Sequence, residues 1–438
     1  MSKDNPSLTR RTALRLAAAS PLAGLGGAAR ASDVQAAAAP AAGVSHAGIA
    51  VPIGGALKFS NTEVWARLVQ LTGGAGSGWV VLPTAAGRPQ RVAVGIANAL
   101  MREGAQVEVL PVAPSWPDVD LAQAVRDPRI VEEVRNAQGV FFSGGAQERI
   151  TSTLAPDGGS TPLLDAIREL QLRGGVVAGT SAGAAVMSST MIRDAQDNLR
   201  VLKAGARMGR EIDHGLGFIG HELFIDQHFL KRGRIGRIIP VMWQQGLRLG
   251  LGIDENTAAI IEGSEIEIIG GKGALLVDLT HARHDPSLPA FNLRGARLSY
   301  LDRGDRHDLA TGVTTPSPQK LTEPVIDASR ADFKPYHQRA PFYTDMLGDS
   351  TIVNAMGNLI DNRDSELYGL AFDGRALRQA ASEADAALGF EFRLYRGPDS
   401  RGWYTGAFGG EDYTVVNLYL DITPVRMGRP FYRPLTST

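Results

Sequence analysis

The apolar run Gly175-Val176-Val177-Ala178 breaks at Gly179-Thr180-Ser181-Ala182-Gly183 and resumes as the small, helix-compatible run Ala184-Ala185-Val186-Met187. A buried strand, a tight turn centred on one serine and a following helix are the sequence form of a nucleophile elbow. Such a turn strains the serine backbone and lifts its hydroxyl above the sheet. The flanking glycines let strand and helix close around it. The first turn of the helix leaves N–H groups without intrahelical partners, so the Ala182 N–H is a candidate oxyanion donor. A structural turn serine would leave a similar pattern, but the strand–turn–helix context favours a serine hydrolase.

A serine hydroxyl needs a base, and the base an orienting acid. After the apolar stretch Leu223-Phe224-Ile225 comes Asp226-Gln227-His228-Phe229, and after Leu251-Gly252-Ile253 comes Asp254-Glu255-Asn256. Both polar clusters follow short apolar runs, and strand ends of open α/β sheets are where ligand crevices form. Of the eight histidines, His228 alone sits in a dense polar cluster between a strand end and a helix start. His214 and His221 lie near it and are rivals; the other histidines lie in loop-like surroundings. The run that follows carries Lys231, Arg232, Arg234 and Arg237. It reads either as a solvated helix face or as a pocket for an anionic substrate group, since arginine suits bidentate carboxylate capture. A further strand, Val140-Phe141-Phe142, runs into Ser143-Gly144-Gly145 and a polar helix start. The Gly145 N–H there is either a second oxyanion donor or part of a simple turn.

Four segments, FFSGGAQERI, GTSAGA, DQHFLKRGRIGR and GLGIDENTA, together resemble the cyanophycinase branch of the serine peptidase family that also contains the aspartyl dipeptidases. The resemblance covers residues 46–312. It implies a three-layer α/β/α sandwich around a mostly parallel sheet, similar to the class I glutamine amidotransferase core. It also implies a triad of Ser181 as nucleophile, His228 as base and Glu255 as orienting carboxylate. Gln147, Asp226, Gln227, Arg232, Arg234 and Arg237 match the family's pocket residues. Ala146 departs from the aspartate often found there. Members of this branch cleave a poly-aspartate polymer bearing β-linked arginines (cyanophycin) to β-Asp-Arg dipeptides. The resemblance therefore implies a polymer or β-aspartyl peptide substrate, no cofactor, and a homodimer. Asp226 and Glu148 are both candidates to meet the substrate guanidinium. The alternatives are an aspartyl or isoaspartyl dipeptidase of the same family and a non-catalytic peptide-binding protein on this fold.

The chain of 438 residues is long enough for a large buried core, and 44% hydrophobic and 21% charged residues are ordinary for a globular protein. A net charge of -1 speaks against a nucleic-acid partner. With no cysteine, disulfides, thiolate metal sites and a cysteine nucleophile are excluded. His281-x-x-His284-Asp285 is the nearest approach to metal-ligand spacing and is a poor one. No membrane span is indicated in the body of the chain. At the N-terminus, Arg10-Arg11 precedes a stretch rich in Ala, Leu and Gly that ends in Ala29-Arg30-Ala31. This predicts a twin-arginine signal peptide over residues 1–31, cleaved near Ala31, and export to the periplasm or beyond. Residues 32–45 read as a flexible leader.

Apolar runs at 79–83 and 107–110 alternate with helical patterns at 91–101 and 162–172, which argues a parallel sheet. Antiparallel strands are expected at 257–261, 265–269 and 274–277. Residues 313–324, with Thr314-Thr315-Pro316-Ser317-Pro318, read as a linker. Residues 325–438 form a C-terminal extension, an α/β or β-rich appendage. There Phe390, Phe392 and Leu394, and Val416, Leu418, Leu420 and Ile422, alternate as half-buried strands. Its aromatic residues suit either a polymer-binding module or a stabilising extension.

Overall fold

The computed structural model describes residues 48–193, 197–220, 222–378, 387–408 and 412–428. The expected signal peptide, its cleavage site and His221 lie outside the described residues. Among these residues the strands form a nine-stranded sheet, a seven-stranded sheet and a two-stranded sheet.

In the first sheet, β1 (Ile49–Ile53), β2 (Gly78–Leu82), β3 (Gln106–Val109), β4 (Gly139–Phe142) and β5 (Val176–Thr180) run parallel in the order β1-β5-β4-β2-β3. Apart from the edge strand β3, where Gln106 and Glu108 are exposed, their side chains alternate between two covered faces. Val80, Leu82, Val140, Phe142 and Val177 pack against Val131, Val134, Ile150, Leu154, Leu164 and Ile167 from helices on one side. Trp79, Val81, Phe141, Val176 and Ala178 pack on the other against Val64, Trp65, Leu68, Ile96 and Leu100. Those residues line one stripe each of helices Thr62–Leu71 and Pro89–Arg102, at the three- and four-residue spacing of an amphipathic helix. This is the expected α/β/α sandwich.

The small sheet pairs β6 (Thr190–Ile192) antiparallel with β7 (Ile212–His214). The second sheet starts with β8 (Leu223–Asp226) and β9 (Leu249–Ile253), which are parallel neighbours. The antiparallel strands β10 (Thr257–Glu262) and β11 (Glu265–Gly270) return to the first sheet, β10 pairing with β1. β12 (Ala274–Asp278) and β13 (Leu293–Leu301) rejoin the second. The short strands β14 (Arg306–Asp308) and β15 (Val313–Thr315) close the edge of the first. The chain thus weaves between the sheets, and Ile225, Leu251, Ile253 and Leu276 of the second share one core with Phe142, Val177 and Met187 beneath the first.

The C-terminal region builds on that second sheet. β16 (Glu366–Ala371), β17 (Leu388–Thr405) and β18 (Asp412–Arg426) are antiparallel, and β18 pairs directly with β13. Phe390, Phe392, Leu418 and Leu420 are fully buried against Ile352, Met356 and Leu359 of helix Thr351–Ile360. The stretch expected as a linker holds β15 and the short helix Pro318–Leu321, whose Lys320 is fully buried. Lys320 Nζ lies 2.7 Å from Asp302 and 2.8 Å from Thr414 Oγ1 of β18. A buried ammonium needs such partners, and here they tie β18 to the turn after β13. Among the described residues no helix is long and apolar enough to cross a membrane.

Candidate active site

Ser181 sits directly after β5, at φ 54 and ψ −107, a conformation costly for a residue with a side chain. The elbow is held because nothing but glycine fits around it. A Cβ on Gly179 would lie 2.7 Å from Gly183, and one on Gly183 would lie 2.5 Å from the Phe142 carbonyl oxygen. The helix Ala182–Ala185 starts at once, and Ala184 and Ala185 donate back to the Ser181 carbonyl.

His228 and Glu255 follow the ends of β8 and β9. Since those strands are parallel and paired with Asp226 opposite Gly252, the two side chains emerge from the same sheet end. The Ser181 hydroxyl lies 2.9 Å from His228 Nε2, and His228 Nδ1 lies 2.6 Å from Glu255 Oε1. With Nδ1–H donating to the carboxylate, Nε2 is free to accept the serine proton. His228 is buried, Ser181 and Glu255 half-buried. Burial holds the His228 pKa below its usual 6.5, with Arg232 and Arg234 adding to the effect against the opposing pull of Glu255. The imidazole is therefore neutral at pH 7, as a general base must be. Among its sequence rivals, His214 ends β7 and takes no part in this relay.

One anchor escapes the sequence reading. The three successive carbonyls at the end of β1 hold all three segments of the site. Ile53 O accepts from Ser181 N at 2.9 Å, Gly54 O from His228 N at 2.5 Å, and Gly55 O from Asn256 N at 2.8 Å. Gly55 lies against the His228 ring so closely that a Cβ there would overlap it. The only local signal is the Gly-Gly pair after an apolar run.

The oxyanion candidates lie on the serine's side of the cleft. A Cβ on Gly144 would sit 3.3 Å from Ser181 Cβ, so the Gly144-Gly145 turn borders the nucleophile. Gly145 has φ 146, and a Cβ there would overlap the Ala85 carbonyl. Among the described residues neither the Ala182 nor the Gly145 N–H donates to a backbone carbonyl.

The basic run divides in a way its spacing does not reveal. Lys231 and Arg232 are exposed, whereas Arg234 and Arg237 are buried, 3% and 2% exposed. Both bind Asp226: Arg237 Nε at 2.8 Å and Nη2 at 2.5 Å, Arg234 Nη1 at 3.2 Å. Arg234 also donates to the Gln227 carbonyl. The run is thus neither a solvated helix face nor a pocket of three free guanidiniums; of its three arginines only Arg232 faces solvent. The cause is Asp226, a carboxylate buried at the end of β8 that needs paired cations. Burial works to raise the Asp226 pKa, but Arg237 and Arg234 outweigh it and hold it below 3.8. Burial lowers Arg234 to about 9, still cationic at neutral pH. So committed, Asp226 is not available to a substrate guanidinium, while Glu148 is half-buried at the start of helix Gln147–Leu154. Gln147 donates to the carbonyls of Ile192 and Arg193 at 2.7 and 2.8 Å. Gln227 Oε1 is buried without a partner among the described residues.

The chain is similar to known peptidases. Residues 53–269 match the description "Peptidase family S51". A cyanophycinase of Nostoc sp. is 30% identical over 280 residues, which is 62% of this chain and 88% of that protein. A cyanophycinase of Geminocystis herdmanii is 32% identical over 272 residues, 59% and 93% of the two chains. The crystal structure of a peptidase from an acI-B1 Actinobacterium is 23% identical, with a TM-score of 0.43, over 60% of this chain and 97% of that one.

Proposed function

The chain belongs to peptidase family S51 and is a serine-type peptidase, and from that premise we propose that it is an exported enzyme hydrolysing cyanophycin to β-Asp-Arg dipeptides. The observation that carries the reading is the unbroken relay from Ser181 Oγ through His228 to Glu255, at 2.9 and 2.6 Å, ending on a strained elbow.

In this reading the Ser181 oxygen attacks the scissile backbone carbonyl of the polymer while its proton passes to His228 Nε2. The imidazolium is stabilised and oriented by Glu255. The oxyanion is taken by the N–H groups of Ala182 and Gly145, each worth about 3 kcal/mol of barrier. Collapse breaks the C–N bond, His228 gives its proton to the departing amine, and an acyl-Ser181 ester remains. Water, deprotonated by His228, then attacks the ester and returns the serine. Each pendant arginine of the polymer carries an α-carboxylate and a guanidinium. Arg232, solvent-facing beside the base, is suited to the carboxylate. Glu148 is left to meet the guanidinium, and the unpaired Gln227 Oε1 to accept from a substrate amide. Export rests on Arg10-Arg11 and Ala29-Arg30-Ala31. Cell fractionation with Arg10→Lys/Arg11→Lys tests it, and retention inside the cell is the expected outcome.

The chain from Ser32 onward, incubated with insoluble cyanophycin, is expected to release soluble β-Asp-Arg, and the Ser181→Ala protein none. Hydrolysis of short isoaspartyl peptides without attack on the polymer would make it a dipeptidase. Failure on both substrates would favour a peptide-binding protein.

A further inference from the structure

The family match ends at residue 269, yet the loop that carries His228 is braced from far beyond it. The segment Asp345–Ser350 hangs from β16, where Met346 N donates to Leu370 O at 2.8 Å, and ends at the start of helix Thr351–Ile360. Its Ser350 N–H donates to the Leu230 carbonyl, two residues after His228, at 2.9 Å. Its Leu347 carbonyl presses on Gly233, which has φ 57 and where a Cβ would overlap that oxygen. The Leu347 side chain packs over Gly236, 2.7 Å from where a Cβ would stand. Ser350 itself is held at φ 57, a left-handed conformation that a serine adopts only when its surroundings impose it.

A charge contact accompanies the packing. Asp349 forms an ion pair with Lys231, and Lys231 also lies within electrostatic reach of Glu255 and Asp254. Lys272, paired with Asp254 at 3.1 Å, reaches Asp349 as well. The groups facing His228 are Glu255 from the end of β9 and Arg232 and Arg234 from its own loop. Without Asp349, the Lys231 ammonium would compete with the imidazole for Glu255.

We propose that the Asp345–Ser350 turn of the C-terminal region is a positioning element for His228, bracing its loop and taking up the Lys231 charge beside Glu255. This rests on the reading of Ser181 and His228 as nucleophile and base, but not on the identity of the substrate. It gives the region beyond the family match a role in catalysis at a distance from the reacting atoms.

The test uses a small fluorophosphonate probe on the full chain, whose rate of labelling reports how well His228 activates Ser181 without any peptide substrate. Ser181→Ala sets the zero. Gly233→Ala, which forces the loop off Leu347, is expected to slow labelling roughly 10- to 100-fold, the scale of a sub-ångström to 1 Å displacement of a catalytic group. Asp349→Ala should move the acid limb of the labelling rate down by about 0.3–0.5 pH unit at low salt, because the freed cation disfavours the imidazolium. Asp349→Glu should restore the limb, as should Lys231→Met added to Asp349→Ala. A purely structural contact would move melting temperatures and leave that limb in place. Unchanged labelling and an unchanged limb in Asp349→Ala and its partners overturn the inference, even if Gly233→Ala fails to fold. A labelled wild type that leaves cyanophycin intact would sink only the substrate assignment.

Discussion

Replacing Asp226 with asparagine keeps the shape of the side chain and removes its charge. The carboxylate accepts from Arg237 Nε and Nη2, from Arg234 Nη1 and from Gln227 N, the last at 2.8 Å. Asparagine keeps one acceptor oxygen and turns the other into an NH2 facing a guanidinium N–H, donor against donor. Two cations whose side chains are 4% and 3% exposed are then left without a counter-charge. Removing one partner of a buried ion pair costs about 3–5 kcal/mol, and with two stranded guanidiniums the upper part of that range applies. At about 2 °C per kcal/mol for a chain of this size, the melting temperature should fall by roughly 8–10 °C. Scanning calorimetry or circular dichroism at pH 7 would measure it. The sign with pH follows from the lowered pKa of Asp226. Its stabilisation is complete above 3.8 and is lost as pH falls through the folded value. The wild-type and Asp226→Asn melting temperatures should therefore converge below pH 4. The triple variant Asp226→Leu/Arg234→Met/Arg237→Met should recover much of the loss, since apolar replacement of a buried ion group is close to neutral. A drop of less than 2 °C for Asp226→Asn at pH 7 would refute the claim that this carboxylate holds the two arginines.

The lowered pKa of His228 places the acid limb of the fluorophosphonate labelling rate below pH 6.5, and Arg232→Ala, by removing one depressing charge, should move it upward; a wild-type midpoint above 7 would contradict the burial argument. Buried His307 is pushed down to about 4 and buried Asp305 up to about 6, each mainly by burial. As pH falls from 6.5 to 4, His307 costs stability because the unfolded chain takes the proton first, while Asp305 gains it because the folded chain does. Each contribution is about 3 kcal/mol at most, and they offset one another. His307→Asn should therefore make the protein gain stability over that window where the wild type changes little, which melting curves at stepped pH would show. Gly145→Ala, with φ 146 and a Cβ overlapping Ala85 O, should lower kcat roughly 100-fold through a displaced oxyanion donor; an unaltered kcat would remove Gly145 from that role.

The residues that carry the site were legible because each is tied to a strand end. Ser181 is marked by glycines that no other residue could replace, and His228 and Glu255 follow short apolar runs that became β8 and β9. The expected strands β2, β3, β4, β5, β10, β11 and β12, and the expected helices at 91–101 and 162–172, fall within a residue or two of their apolar patterns. What sequence did not reveal depends on partners distant in the chain. Nothing in Ile49-Ala50-Val51-Pro52-Ile53 singles it out as a central strand, since a proline argues against one. The burial of Arg234 and Arg237 follows from where Asp226 ends, not from their spacing. The alternation of 416–422 shows a strand but not that it lies beside β13, which is why the C-terminal region reads as an appendage and folds as part of the second sheet.

The row of carbonyls at Ile53, Gly54 and Gly55 has a mechanical consequence. Ser181 belongs to one sheet, His228 and Glu255 to the end of the other, and dozens of residues separate them along the chain. If each were placed only through its own element, small errors would accumulate along three long paths. Referred instead to three consecutive carbonyls, whose Cα atoms stand about 3.8 Å apart, their relative positions carry the tolerance of one short peptide. Slippage of one sheet past the other must break the bonds at Gly54 and Gly55 together, so the catalytic alignment is either whole or lost. The amide protons of Ser181, His228 and Asn256 should then exchange with solvent as a single cooperative unit.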